Sequence, residues 1–202
     1  MAIKNDREYR NLGSFELKAQ EDGRLVEGYA STFEAYPLWE EDGVTYYERI
    51  SPDAFKSADM SDVVFLKDHV GTVLARTKNG LLELGIDEHG LKVTADLNKT
   101  TAGRQMMEEI EVGNYTQMSF AFTVEADHYE PETHTRVIDA FRKIFDVSAV
   151  CFPANPTTDI GLSARSYFDG VIEAERAERL EREALELKRS QIKVRARALG
   201  GK

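Results

Sequence analysis

The stretch YTQMSFAFTV (residues 115–124) alternates large apolar and smaller or polar side chains. Met118, Phe120, Phe122 and Val124 fall on one side of an extended chain, and Gln117, Ser119, Ala121 and Thr123 on the other, which is the period of two of a β-strand. The residues just before it, KTTAGRQMMEEIEVGN (99–114), follow another period. Met106, Met107 and Ile110 share one helical face, and Gly113-Asn114 closes it. A helix that runs straight into an apolar strand sets the class as mixed α and β.

Outward from that junction the texture is β. SFELKAQ (14–20) and RLVEGYASTF (24–33) flank a Glu-Asp-Gly turn and read as a hairpin; GLLELGIDEHGLKVTADL (80–97) reads as a second, turning at Glu88-His89-Gly90. WEEDGVTYYERI (39–50) reads as a loop with an Asp-Gly turn leading into a short strand. SPDAF (51–55) predicts a short helix with Ser51 as cap and Pro52 in its first position. DVVFLKDH (62–69) reads as a strand ending in a polar loop. Residues 125–135 read as a charged loop, RVIDAF (136–141) and KIFDVSAVCF (143–152) as separate strands, and PANP (153–156) as a turn. The expected fold is β-rich α+β or barrel-like: short antiparallel strands with one or two helices packed on them.

Both ends differ from this centre. Residues 1–12 are polar and read as a flexible N-terminus. From Tyr167 to Leu199 the chain has no proline and is rich in Ala, Glu, Arg, Leu and Lys, with Glu175–Arg179 and Glu178–Arg182 in the favourable i,i+4 order. A thin heptad seam through Leu180, Leu187 and Val194 suits either a solvated helix or a partner-binding coil. The expected division is 1–12, a main domain at 13–166 and a charged helical tail at 167–202.

The 202 residues include 36 acids and 26 bases, a net charge of −10. The surplus lies in residues 1–168, so most of the surface should repel nucleic acid and anionic lipid. No apolar run is long enough to cross a membrane as a helix. The single cysteine, Cys151, excludes an internal disulfide and suits a reducing cytoplasm.

Three residues carry candidate chemistry. Asp146 lies inside the most apolar strand, where an unpartnered carboxylate costs several kcal/mol. It calls either for an arginine in a structural ion pair or for a histidine that it orients. His69 ends a strand, the place of a surface histidine or of a ring facing a cleft. Ser119, with small Ala121 beside it, is either a polar strand residue or a nucleophile that needs a histidine as base. No G-x-S-x-G elbow surrounds it. His128 and His134, with Asp127, Glu130 and Glu132, allow a metal site in principle, but a solvated acidic loop explains the same letters.

FLKDH (65–69), QMSFAF (117–122) and DVSAVCFPANP (146–156), with VEGYASTF (26–33), ERISPDAF (48–55) and GLKVTADL (90–97), resemble in that order the prohead proteases of tailed bacteriophages, over roughly residues 13–163. That family is similar in fold to the herpesvirus assemblins, which implies an antiparallel β-barrel wrapped by helices, here with a charged C-terminal helix added. The resemblance implies a serine endopeptidase that matures phage capsids, with Ser119 as nucleophile, His69 as base and Asp146 where assemblins use a second histidine. It implies no cofactor and no metal. Arg76 and Arg165 are the candidates for the oxyanion role that an arginine-bearing loop plays in assemblins. The implied substrates are scaffold segments, the N-terminal portion of the major capsid protein and the protease itself, with the tail removed by self-cleavage. The implied location is the assembling procapsid in the host cytoplasm, and the assemblins suggest a homodimer. The competing reading is an inactive, protease-like scaffold or assembly chaperone that binds capsid subunits.

Overall fold

The computed structural model describes residues 7–11, 18–19, 25–41, 43–151 and 159–199. The chain divides into two compact units, residues 1–163 and 164–202.

The spine of the first unit is one long hairpin, β10 (Gln117–Glu130) and β11 (Thr135–Val150), paired antiparallel with Ser119 opposite Ser148 and Ala121 opposite Asp146. The strand continues past its predicted end at residue 124. Glu125, Ala126 and His128 are exposed, and pairing with β11 satisfies the backbone there. The charged loop expected at 125–135 is therefore mostly strand. RVIDAF and KIFDVSAVCF likewise belong to one strand, bent where register shifts between residues 121 and 127 of its partner insert bulges.

β1 (Glu8–Asn11) pairs antiparallel with the outer edge of β10, so part of the expected flexible N-terminus is a strand of the sheet. The far edge of β11 is shared. Residues 135–138 pair in parallel with β5 (Val44–Ile50), and residues 146–149 pair in parallel with β6 (Val64–Lys67). β4 (Tyr36–Glu41) forms a hairpin with β5 around Gly43, whose φ of +77° is the left-handed conformation a tight turn needs; the loop expected there is a strand. β7 (Val70–Arg76) folds back on β6.

A second sheet has the order β2-β3-β9-β8, from β2 (Lys18–Ala19), β3 (Leu25–Thr32), β8 (Leu82–Ile86) and β9 (Gly90–Asp96). The predicted hairpin of residues 80–97 lies here; of the first, Lys18–Ala19 pair with β3, and its turn at 21–23 lies outside the described residues. Among the described residues neither sheet closes on itself, so the expected barrel is replaced by two open sheets. The β-rich α+β class holds. PANP lies outside the described residues.

The predicted internal helix is α1 (Thr101–Glu111), with the Thr100 side chain accepting from the Gly103 amide at 2.9 Å. Met106, Met107 and Ile110 are buried as the 3.6 spacing requires. SPDAF forms no helix. The amides of Ala54, Lys56 and Ala58 reach only three residues back, while Ser51, Ala54 and Asp59 bond to the backbone of β11 at Ile138, Phe141, Arg142 and Ile144. Bonding to the neighbouring strand replaces the i→i−4 ladder. The core gathers Phe55, Phe120, Phe122 and Phe141, with Phe120–Phe122 centroids 4.7 Å apart and Phe122–Phe141 4.8 Å.

α2 (Asp159–Leu199) is a single helix that starts ahead of the Tyr167 read from composition. No described helix is long and apolar enough to cross a membrane.

Candidate active site

His69 stands at the tip of the β6–β7 hairpin. Lys67 pairs with Val70, leaving Asp68 and His69 as a two-residue turn with φ of 49° and 60°. Two left-handed residues match the twist of a tight hairpin, and for residues other than glycine they cost about 1 kcal/mol or more each. Contacts to the strand beside it hold the turn. The Asp68 amide donates to the Ala149 carbonyl at 3.0 Å and the His69 amide to Ser148 Oγ at 3.2 Å. The Tyr115 hydroxyl donates to Asp68 Oδ2 at 3.2 Å.

This aims the imidazole between two strands. His69 Nδ1 lies 2.5 Å from Asp146 Oδ1, and Nε2 lies 2.6 Å from Ser119 Oγ. Asp146 is 1 % exposed and Ser119 2 %, so water does not weaken either contact. Asp146 Oδ1 also accepts from the Ser148 hydroxyl at 2.9 Å, and Arg7 Nη1 stands 4.0 Å from Oδ2. The Tyr9 ring meets the His69 ring edge-on, with centroids 4.7 Å apart. The buried carboxylate thus has a histidine, a serine and a more distant guanidinium. Ser119 has a second partner: its hydroxyl lies 2.9 Å from the carbonyl oxygen of Arg10, on β1.

β1 is anchored by a row of charged side chains across the sheet. Arg10 reaches both oxygens of Glu48, at 2.5 and 2.8 Å, and Glu8 at 2.6 Å. Arg136 bonds Glu48 at 3.0 Å and Glu8 at 2.8 Å, and meets Asp127 at 2.6 Å. The Tyr36 hydroxyl donates to Glu48 at 2.5 Å. Burial alone would push the Glu8 carboxyl up, but Arg10 and Arg136 hold it down at about 2. Burial opposes the charge on Arg10, yet Glu48 and Glu8 hold its pKa above the usual value.

The structure brings together Ser119, His69 and Asp146, which are distant in sequence. Arg76 ends β7 at the opposite end of the hairpin from His69, about 20 Å along the strand, and forms a two-bond ion pair with Asp62 at 2.6 Å. There its guanidinium serves Asp62. The Arg165 side chain lies outside the described residues. His128 pairs with Asp139 at 2.6 Å, and His134 Nδ1 lies 3.0 Å from the Tyr129 hydroxyl, so the two rings serve separate contacts. Among the described residues no group of three or more His, Cys, Asp or Glu side chains could hold a metal ion. Beside the His69 turn, a groove of about 850 Å³ runs between β7 and α1, lined by Asp68, Val70, Leu74, Met106 and Val112 among others.

Sequence reasoning missed Ser148, Tyr9 and the Glu48 cluster. Glu48 left a readable sign: it shares the phase of Tyr46 and Ile50, both buried, just as Asp146 sits among apolar neighbours.

A serine hydroxyl, an imidazole and a carboxylate in line form the arrangement by which serine hydrolases activate their nucleophile. The Caudovirus prohead serine protease family matches residues 13–170, and the chain belongs to that family. Membership implies a serine protease of phage prohead maturation. No curated protein and no solved structure matches the chain.

Proposed function

We propose that the chain is a serine endopeptidase in which Ser119 is the nucleophile, His69 the general base and Asp146 the group that orients the imidazole. The observation that carries this reading is the pair of contacts on one ring, 2.5 Å to a buried carboxylate and 2.6 Å to a buried hydroxyl. With Nδ1–H donated to Asp146, Nε2 is left to accept the Ser119 proton as Oγ attacks a peptide carbonyl carbon. The tetrahedral intermediate collapses as the C–N bond breaks, and Nε2–H passes to the leaving amine. Water, activated by the same nitrogen, then hydrolyses the acyl ester. Asp146 stabilises the imidazolium in both halves, and the Ser148 hydroxyl holds the carboxylate in place.

The substrates in this reading are scaffold segments, the N-terminal portion of the major capsid protein, and the chain itself, within the assembling procapsid. Self-cleavage removes the charged helical tail, residues 167–202. The decisive experiment is co-expression with the capsid subunit and mass spectrometry of the products. Wild type should yield defined cleavages and Ser119→Ala none, with the circular dichroism of the two proteins unchanged. Cleavage retained by Ser119→Ala would overturn the nucleophile. A Ser119 never labelled by a serine-reactive phosphonate would favour an inactive scaffold.

A further inference from the structure

The outer edge of β10 beside Ser119 is a place where an extended strand adds antiparallel, and residues 8–11 of the chain fill it. Three observations bear on what that edge is built to hold. The Arg10 carbonyl oxygen lies 2.9 Å from Ser119 Oγ, so a backbone carbonyl of the added strand lies against the hydroxyl. The Arg10 side chain is 1 % exposed and its guanidinium meets both oxygens of Glu48, itself fully buried. And β1 lies outside the family match, which begins at residue 13, whereas Glu48, Tyr36, Asp127 and Arg136 lie within it.

Without β1, the described residues of this cluster are one cation, Arg136, facing two carboxylates, Glu48 and Asp127, with the Tyr36 hydroxyl on Glu48. That set is one cation short and stays so with β1, which brings Glu8 as well as Arg10; what it lacks without β1 is a partner on both oxygens of the buried Glu48. A planar guanidinium that meets both oxygens of one carboxylate supplies it in a way that a neutral side chain does not. We propose that Glu48, held by Tyr36 and Arg136, is a specificity-determining residue that selects an arginine in the substrate strand docked on the β10 edge, the arginine being the residue whose carbonyl meets Ser119. Residues 8–11 occupy the site in cis with the same chemistry. A substrate strand takes their place by β-augmentation, in which main-chain bonds give affinity and the side-chain pocket gives selectivity. The assignment of the arginine's carbonyl to the reaction rests on Ser119 as nucleophile; the pocket itself does not.

The test uses the full chain carrying Arg10→Ala, which empties the pocket, and a fluorescent peptide of residues 7–11, Arg-Glu-Tyr-Arg-Asn. By anisotropy, this peptide should bind at least about ten-fold tighter than the same peptide with norleucine in place of the second arginine, as expected when a charge-assisted pair is lost from a buried site. Adding Glu48→Gln should shrink that ratio to below about three-fold. Equal binding of the two peptides, or a ratio that Glu48→Gln leaves unchanged, overturns the proposal. Should Arg10→Ala fail to fold by circular dichroism, Arg10→Lys keeps a cation in place, and the arginine peptide should still outcompete the norleucine one. Phosphonate labelling of Ser119 in the same proteins separates the two readings. Protection by the arginine peptide alone supports both, whereas selective binding with no labelling leaves the pocket standing and overturns the nucleophile.

Discussion

Replacing Asp146 by Asn removes one charge and almost no volume, so it isolates what the carboxylate does for His69. In the resting site Oδ1 accepts from both His69 Nδ1, at 2.5 Å, and Ser148 Oγ, at 2.9 Å. An asparagine oxygen in the same place still accepts both bonds. With that orientation kept, the main loss is electrostatic. A carboxylate and an imidazolium with centres about 4 Å apart interact by about 4 kcal/mol at an effective dielectric constant near 20. The neutral hydrogen bond retained by asparagine returns about 1 kcal/mol. The remaining 3 kcal/mol or so corresponds to a fall in kcat of about 10²-fold. Single-turnover cleavage of a peptide substrate measures it directly, with thermal melting as the control for folding. The companion variant sharpens the test: Ser148→Ala removes one hydrogen bond to Oδ1 but keeps the carboxylate charge, so it should cost far less than Asp146→Asn. A kcat within three-fold of wild type for Asp146→Asn, in a folded protein, would refute the orienting role.

Three further outcomes follow from packing and charge. Glu8 has its pKa held at about 2 against an ordinary 4.5, so its stabilisation of β1 is complete above pH 4.5 and is lost as pH falls toward 2. The full effect is roughly 3 kcal/mol. Hydrogen exchange at Tyr9 and Arg10 should accelerate over that window, once corrected for intrinsic rates, and Glu8→Gln should abolish the acceleration. Gly103→Ala places a methyl 2.1 Å from the Leu97 carbonyl oxygen, a backbone atom; it should destabilise by about 2 kcal/mol or more in urea melts despite alanine's better helix propensity. Phe141→Ala empties a fully buried ring site against Phe55, Phe120 and Phe122 and should cost about 3–5 kcal/mol, read as a lower urea midpoint.

The legible parts of the fold were those where local chemistry agreed with the final structure. α1, the hairpin of residues 80–97 and the alternation through Ser119 all follow from residue period and turn glycines. The failures share a cause. Residues 125–130 look like a loop because they are charged, yet β11 lies alongside and makes a strand of them. SPDAF looks like a helix start, yet its backbone bonds to β11 instead. Glu8–Asn11 look like loose chain, and what holds them to the sheet is non-local: backbone pairing with β10 and side-chain pairs such as Arg10–Glu48, 38 residues apart. The candidate site was legible as three separate anomalies: a serine in a packed strand, a carboxylate in an apolar one and a histidine at a strand end. Their convergence was implied by the family resemblance alone, because it depends on β6 docking in parallel against β11. No periodicity encodes that pairing.

That docking also has a consequence in time. Ser119 and Asp146 share one hairpin, a local structure of the kind that forms within microseconds. His69 arrives only when β6, whose partners on β11 lie some 80 positions further along the chain, closes a long loop onto it. Non-local parallel pairings of this kind are the slow steps of folding. On the proposed roles the base would join the nucleophile last, and a chain still emerging from the ribosome would lack the complete triad. In a refolding experiment, phosphonate reactivity at Ser119 should appear only with the slowest phase, after most of the β-signal has been recovered.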